Sequence, residues 1–137
     1  MKIKEILECP VCRNQLSNNK NSYQCTNKHS FDKSKTGYIN LLLSNQKKSP
    51  NPGDSKEMLK ARTSFFKEGF YTTILNLLTK TIKSLTKDKV NQTILDIGCG
   101  EGYYLLSVFN NLPNTTCYGL DISKDGIEIA SKYEKST

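Results

Sequence analysis

Cys9 and Cys12 stand in "CPVC", and Cys25 and His29 stand in "CTNKH". Each pair lies on a turn short enough to aim two soft ligand atoms at one point. Together, CxxC, twelve intervening residues and CxxxH supply the four-ligand tetrahedral set that structural zinc prefers, with no position left over for a catalytic water. Cys9, Cys12, Cys25 and His29 are therefore the candidate metal ligands. The surrounding segment has too few apolar residues to fold unaided, and binding of this kind contributes on the order of 10 kcal/mol to folding, enough to replace a missing core.

A second group with chemical potential is "LDIGCGEG", residues 95–102, an apolar run that breaks into Gly98, Gly100 and Gly102. Read as a strand that ends at Asp96 and a helix that begins near Glu101, it is a strand-to-helix turn whose glycines let a ligand touch bare main chain. A dinucleotide fingerprint would be GxGxxG, with pyrophosphate drawn to the helix N-terminus. Here the pattern is GxGxG with Asp96 ahead of it and Glu101 inside it, and two carboxylates repel pyrophosphate. They suit a ligand with a cationic end and no phosphate, such as S-adenosylmethionine, which carries an ammonium and a sulfonium. Asp121, at the end of "YGLD" about 20 residues on, is placed to accept hydrogen bonds from ribose hydroxyls. NAD-type binding and a purely structural glycine turn are the alternatives.

These groups need elements to hold them. Residues 1–43 read as two small knuckles joined by β-hairpins, with "SYQC" as a short strand and "GYINLLL" alternating. Residues 44–54, "SNQKKSPNPGD", have the composition of a linker. From residue 55 to 137 the pattern is α/β. Asp54 with Glu57 suggests a capping box that opens a helix carrying Met58, Leu59, Phe65 and Phe66 to about Glu68, with Gly69 ending it. Tyr71, Ile74, Leu75, Leu78, Ile82 and Leu85 form the apolar stripe of a second helix. "TILDIG", residues 101–111, "TTCYGLD" and residues 123–133 then read as strand, helix, strand, helix, the start of a doubly wound sheet.

The composition is that of a globular protein, 36% hydrophobic and 24% charged, and no apolar run approaches the roughly 18–20 residues of a membrane span. The N-terminus lacks the apolar core of a signal peptide, so a cytoplasmic location with no membrane partner is expected. Five cysteines, an odd number, argue against a disulfide framework, and Cys99 and Cys117 read as small buried residues. The net charge of +7 is uneven: residues 1–48 hold nine Lys/Arg against three Asp/Glu, and the remainder eleven against ten. Arg13, Lys20, Lys28, Lys33 and Lys35, interleaved with Tyr23, Phe31 and Tyr38, suit looped RNA, although the two rings Tyr23 and Phe31 could instead form the module's miniature core and the charge a merely solvated face.

"CPVC", "NSYQC" with its following histidine, "GYINLL", "PGDSKEMLKAR", "GFY" and "LDIGCGEGYY" together resemble the N-terminal half of bacterial 23S rRNA (guanine-N1)-methyltransferases. The resemblance implies a zinc module that grips an rRNA hairpin, a Rossmann-like class I domain that binds S-adenosylmethionine, and a homodimer. It implies that Gly98, Gly100, Glu101 and Gly102 form the cofactor turn, that Asp121 is the ribose partner, and that Tyr71 of "GFY" contacts the cofactor. It implies in-line methyl transfer to N1 of a guanine, with no catalytic residue assignable here. Only two strands of the family's seven-stranded domain are expected, so the methyltransferase domain is incomplete and the chain by itself is expected to be an inactive fragment. The alternative is a non-catalytic zinc-dependent RNA-binding module with a vestigial cofactor domain.

Overall fold

The computed structural model describes residues 6–87 and 90–134. The chain divides into two compact units, Met1–Pro50 and Asn51–Thr137.

In the first unit three short strands, β1 (Ser17–Asn19), β2 (Ser22–Gln24) and β3 (Ser30–Asp32), pair antiparallel in the order β1-β2-β3. Tyr23 lies opposite both Asn18 and Phe31. The core is very small: Cys9, Leu16, Tyr23 and Cys25 are buried, with Leu7, Cys12, Phe31, Ile39 and Leu41 packed around them. Tyr23 is thus spent on the core and is not a free stacking surface, because its ring fills the space beside the knuckles and carries the Lys33 ammonium over its face at 5.0 Å. "GYINLLL" forms no strand. Among the described residues its ladder contact is an isolated antiparallel bridge from Ile39 to Lys33, just past β3, and a short 3-10 turn, Ser44–Gln46, follows.

The second unit begins with α1 (Lys56–Lys67) and α2 (Thr72–Leu85). Ser55, rather than Asp54, caps α1: its hydroxyl accepts the Met58 N–H at 3.3 Å, which leaves the Asp54 carboxylate for another partner. Leu59 and Phe66, two turns apart, are buried, while Met58 and Phe65 remain exposed. On α2 the apolar stripe is only partly covered. Leu75, Leu78 and Ile82 are half-buried, but Ile74 and Leu85 face solvent.

β4 (Gln92–Ile97), α3 (Tyr103–Asn111), β5 (Thr115–Leu120) and α4 (Lys124–Glu134) complete the unit. β4 and β5 pair parallel in register, Gln92 beside Thr115 through Ile97 beside Leu120. α3 packs on α2 and β5, and α4 packs on α1. β4 alternates strictly, with Gln92, Ile94 and Asp96 half-buried and Thr93, Leu95 and Ile97 exposed. Leu95, Ile97 and Leu120 therefore leave an apolar sheet face open to solvent, at 55%, 75% and 53% exposure. Parallel strands are ordinarily covered on both faces, and here one is bare among the described residues.

Candidate zinc centre and cofactor-binding turn

The two knuckles are built alike. Cys9 N–H donates to the Asn14 carbonyl at 2.8 Å and its carbonyl accepts Arg13 N–H at 2.9 Å; Cys25 N–H donates to the His29 carbonyl at 3.1 Å and its carbonyl accepts Lys28 N–H at 2.9 Å. Each turn closes through a non-glycine residue in the left-handed region, Arg13 at φ 65° and Lys28 at φ 64°. The strain each costs is tolerable where the turn must point two ligands inward.

The ligand atoms of Cys9, Cys12, Cys25 and His29 all lie within 4.8 Å of one another. Cys12 Sγ and Cys25 Sγ are 3.6 Å apart, and His29 Nδ1 is 3.5 Å from Cys9 Sγ and 3.4 Å from Cys25 Sγ. A tetrahedral zinc with bonds of about 2.3 Å to sulfur and 2.0–2.1 Å to nitrogen has ligand–ligand edges of roughly 3.5–3.8 Å, so the spacing and the soft donor set both fit the ion. Burial, the largest influence on Cys9, pushes its thiol up. The backbone N–H groups of Cys12 and Val11, with the neighbouring Cys12 and Cys25 thiols, outweigh it and bring the pKa down to about 7.

At the carboxyl end of the parallel strands, Gly98 N–H and Cys99 N–H both donate to the Leu120 carbonyl, at 2.7 and 3.1 Å. This welds the β4–α3 turn onto the β5–α4 turn. Asp121 completes the joint, its Oδ2 accepting Gly100 N–H at 2.8 Å and its Oδ1 accepting Ser123 N–H at 2.7 Å. Asp96, Gly98, Gly100, Glu101, Gly102 and Asp121 are thereby brought to one end of the sheet, where ligands of open α/β folds bind. The strand runs one residue beyond Asp96, to Ile97, and the helix starts at Tyr103, so Glu101 belongs to the turn.

The residues of the turn divide by what surrounds them. Gly98 has φ 84° and nothing within 4 Å of the place a Cβ would occupy, so its main chain is open to a ligand. Gly100 is covered: a Cβ there would lie 3.1 Å from Arg62 Nη2. Asp96 is half-buried, and its carboxylate has no hydrogen-bond or ion-pair partner among the described residues. Burial first, and then the neighbouring Asp121 charge, hold its pKa above the usual carboxylate value. An uncompensated carboxylate beside open glycine backbone fits a cationic nucleoside such as adenosylmethionine.

Glu101 has a partner that sequence reasoning missed. Its buried carboxylate receives Arg62 Nε at 3.2 Å on each oxygen and Nη2 at 2.9 Å, while Arg62 Nη1 pairs with Asp54 at 2.7 Å. Gly126 was also unforeseen: a Cβ there would meet the Gly100 backbone at 3.1 Å, so its bareness lets α4 abut the turn. Tyr71 precedes α2 in a ring cluster, 5.2 Å from Phe66 and 6.3 Å from Tyr104, and Phe66 stacks on Tyr103 at 3.9 Å. Among the described residues, Tyr71 approaches the turn through these rings of α1 and α3.

The Cys/His cluster is that of a zinc ribbon, and the glycine turn on parallel strands is that of the start of a methyltransferase-type domain. Residues 7–50 match the family model described as RlmA, N-terminal, a zinc ribbon, and residues 88–137 match a methyltransferase domain. Within that class the chain is similar to the N-terminal half of 23S rRNA (guanine-N1)-methyltransferases. It is 29% identical over 126 residues to the 23S rRNA (guanine(748)-N(1))-methyltransferase of Streptomyces fradiae, covering 92% of this chain and 44% of that protein. It is 34% identical over 133 residues to the putative enzyme YxjB of Bacillus subtilis strain 168, covering 93% and 46%, and 28% identical over 142 residues to a putative enzyme of Micromonospora griseorubida, covering 92% and 47%. The chain spans about half the length of the curated relatives it matches.

Proposed function

We propose that this chain supplies the RNA-gripping and cofactor-holding parts of a 23S rRNA (guanine-N1)-methyltransferase. The observation that carries this reading is Asp96, a half-buried carboxylate without a partner among the described residues, beside the open main chain of Gly98 and on the same sheet end as Asp121. In this reading Asp96 draws in the cationic end of adenosylmethionine, and Gly98 lets the ligand lie against the backbone. Asp121 uses one lone pair on each oxygen for Gly100 and Ser123 and keeps the others for the ribose hydroxyls. Tyr71 is assigned an edge contact with the cofactor. Cys9, Cys12, Cys25 and His29 hold zinc and so fix the ribbon.

Bound adenosylmethionine supplies an electrophilic methyl group, and the protein's task is to position it against an unstacked guanine. The rRNA partner is a hairpin, met by the basic surface of the ribbon. Lys33 is less available than its charge suggests, since its ammonium already bonds the Asn18 side chain and the Lys20 carbonyl. With two parallel strands and Leu95, Ile97 and Leu120 uncovered, the 137-residue polypeptide by itself is assigned cofactor and RNA binding without turnover. Among the described residues no helix is long and apolar enough to cross a membrane, and a cytoplasmic site of action follows from the rRNA substrate. Self-association into a homodimer is proposed on the family resemblance alone, and the mass in solution tests it.

Equilibrium dialysis with labelled adenosylmethionine, paired with titration of a 23S rRNA hairpin at rising salt, tests the reading. Cofactor binding that is lost in Asp96→Asn, with hairpin affinity that falls steeply with salt, is the expected result. RNA binding without cofactor binding would instead indicate the non-catalytic module.

A further inference from the structure

The segment 53–55 and α1 close over the glycine turn through one guanidinium. Arg62 reaches from the middle of α1 to grip Glu101 with two nitrogens and Asp54 with the third. Glu101 is only 5% exposed, and Arg62 is the partner that compensates its charge. The Asp54 end is itself fastened: the Asp54 carbonyl accepts the Ser123 hydroxyl at 3.0 Å, and that hydroxyl accepts Gly126 N–H at 3.2 Å. Gly53, at φ 87°, lies so close to Ser123 that a Cβ would fall 2.7 Å from the Ser123 side chain. The same guanidinium covers Gly100, where a Cβ would lie 3.1 Å from Arg62 Nη2.

We propose that Arg62 is a positioning residue: by gripping Glu101 and Asp54 at once it holds the glycine turn in the shape that receives the cofactor, and Glu101 is the anchor of the turn rather than a contact of the ligand. The inference rests on the adenosylmethionine reading for its ligand and on the geometry alone for the clamp. A buried carboxylate whose two oxygens are filled by a forked guanidinium has little left to offer an ammonium, whereas both Asp96 oxygens lack a partner among the described residues. Recognition of charge and rigidity of the turn are thereby divided between two acidic residues that look equivalent in the sequence.

The test uses the zinc-loaded chain with Arg62→Ala, Arg62→Lys, Glu101→Ala and the double variant Arg62→Ala/Glu101→Ala. Amide exchange of residues 98–102 is expected to speed up in Arg62→Ala while that of α2 is unchanged, with partial restoration in Arg62→Lys. Affinity for adenosylmethionine is expected to fall about tenfold in either single alanine variant and no further in the double variant, as for two residues that act through one contact. Unchanged exchange at 98–102 in Arg62→Ala overturns the clamp. Additive losses of affinity in the double variant overturn the assignment of Glu101 as an anchor. If the wild-type chain binds no adenosylmethionine while exchange responds as described, the clamp stands and the cofactor reading fails.

Discussion

Gly100 N–H donates to Asp121 Oδ2 at 2.8 Å, so the carboxylate at the end of the second strand is also the hydrogen-bond acceptor that shapes the turn after the first. With Oδ1 on Ser123 N–H, Asp121 ties both strand-to-helix turns together before any ligand arrives. Asp121→Ala should therefore do two things: leave two N–H groups without their acceptor, for a loss of about 1–3 kcal/mol in stability, and abolish cofactor binding. Asp121→Asn keeps an acceptor oxygen, so it should recover part of the stability. Denaturant melts of the second unit alongside dialysis separate the two effects.

Glycines in this unit are required for different reasons, and alanine at each should show it. Gly119→Ala would put a Cβ 2.7 Å from Cys99 Sγ and 3.2 Å from Leu105 Cδ2, an overpacking that costs about 1–3 kcal/mol. Gly98→Ala meets no atom, and its left-handed backbone costs roughly 1–2 kcal/mol. The expected contrast is that Gly98→Ala binds adenosylmethionine far more weakly than its modest loss of stability explains, because the new Cβ stands where the ligand must lie. Melting temperature and cofactor affinity, measured on both variants, check it.

Binding should also depend on pH through Asp96. Its folded pKa is raised, so the neutral acid is favoured in the folded protein, and its contribution to stability is present at low pH and lost as pH rises through the folded value. A cationic ligand reverses the preference. Adenosylmethionine affinity should accordingly weaken as pH falls into the carboxylate range, with a proton released on binding below that midpoint. Asp96→Asn should bind weakly at every pH. Calorimetric titrations in buffers of different ionisation enthalpy, run across that range, measure the proton release directly.

Removal of zinc should unfold the ribbon. Its core is limited to Cys9, Leu16, Tyr23 and Cys25, and two of those four are proposed ligands, so little apolar burial remains to hold the strands once the ion is gone. With metal binding contributing on the order of 10 kcal/mol, chelation should abolish amide protection at Tyr23 and Cys25, and Cys12→Ser should lower zinc affinity by orders of magnitude. Proton competition for the ligands should give the same loss in acid.

The clustering of Cys9, Cys12, Cys25 and His29 and the order of elements were legible in the sequence because each depends on local spacing. CxxC and CxxxH set their own turn geometry, and the run of strand, helix, strand, helix follows from apolar patterning. What escaped was decided by distant contact. Asp54 looked like a helix cap, but Ser55 takes that position and releases Asp54 to a guanidinium eight residues away. Glu101 read as part of the cofactor turn, and its pairing with Arg62, 39 positions earlier, left no trace in the spacing. Tyr23 stood between two roles, and burial beside the knuckles decided for the core. No periodicity encodes such pairings, since they arise only when the two turns meet at the sheet end.

The most direct test of the central claim, that the turn around Asp96 and Gly98 holds adenosylmethionine, is a two-dimensional amide NMR titration of the zinc-loaded chain with that ligand. The account predicts saturable shifts concentrated on residues 96–102 and 121–123, with one ligand bound per chain. Shifts centred elsewhere, or no shifts at millimolar ligand in a chain whose spectrum is that of the folded protein, would contradict it.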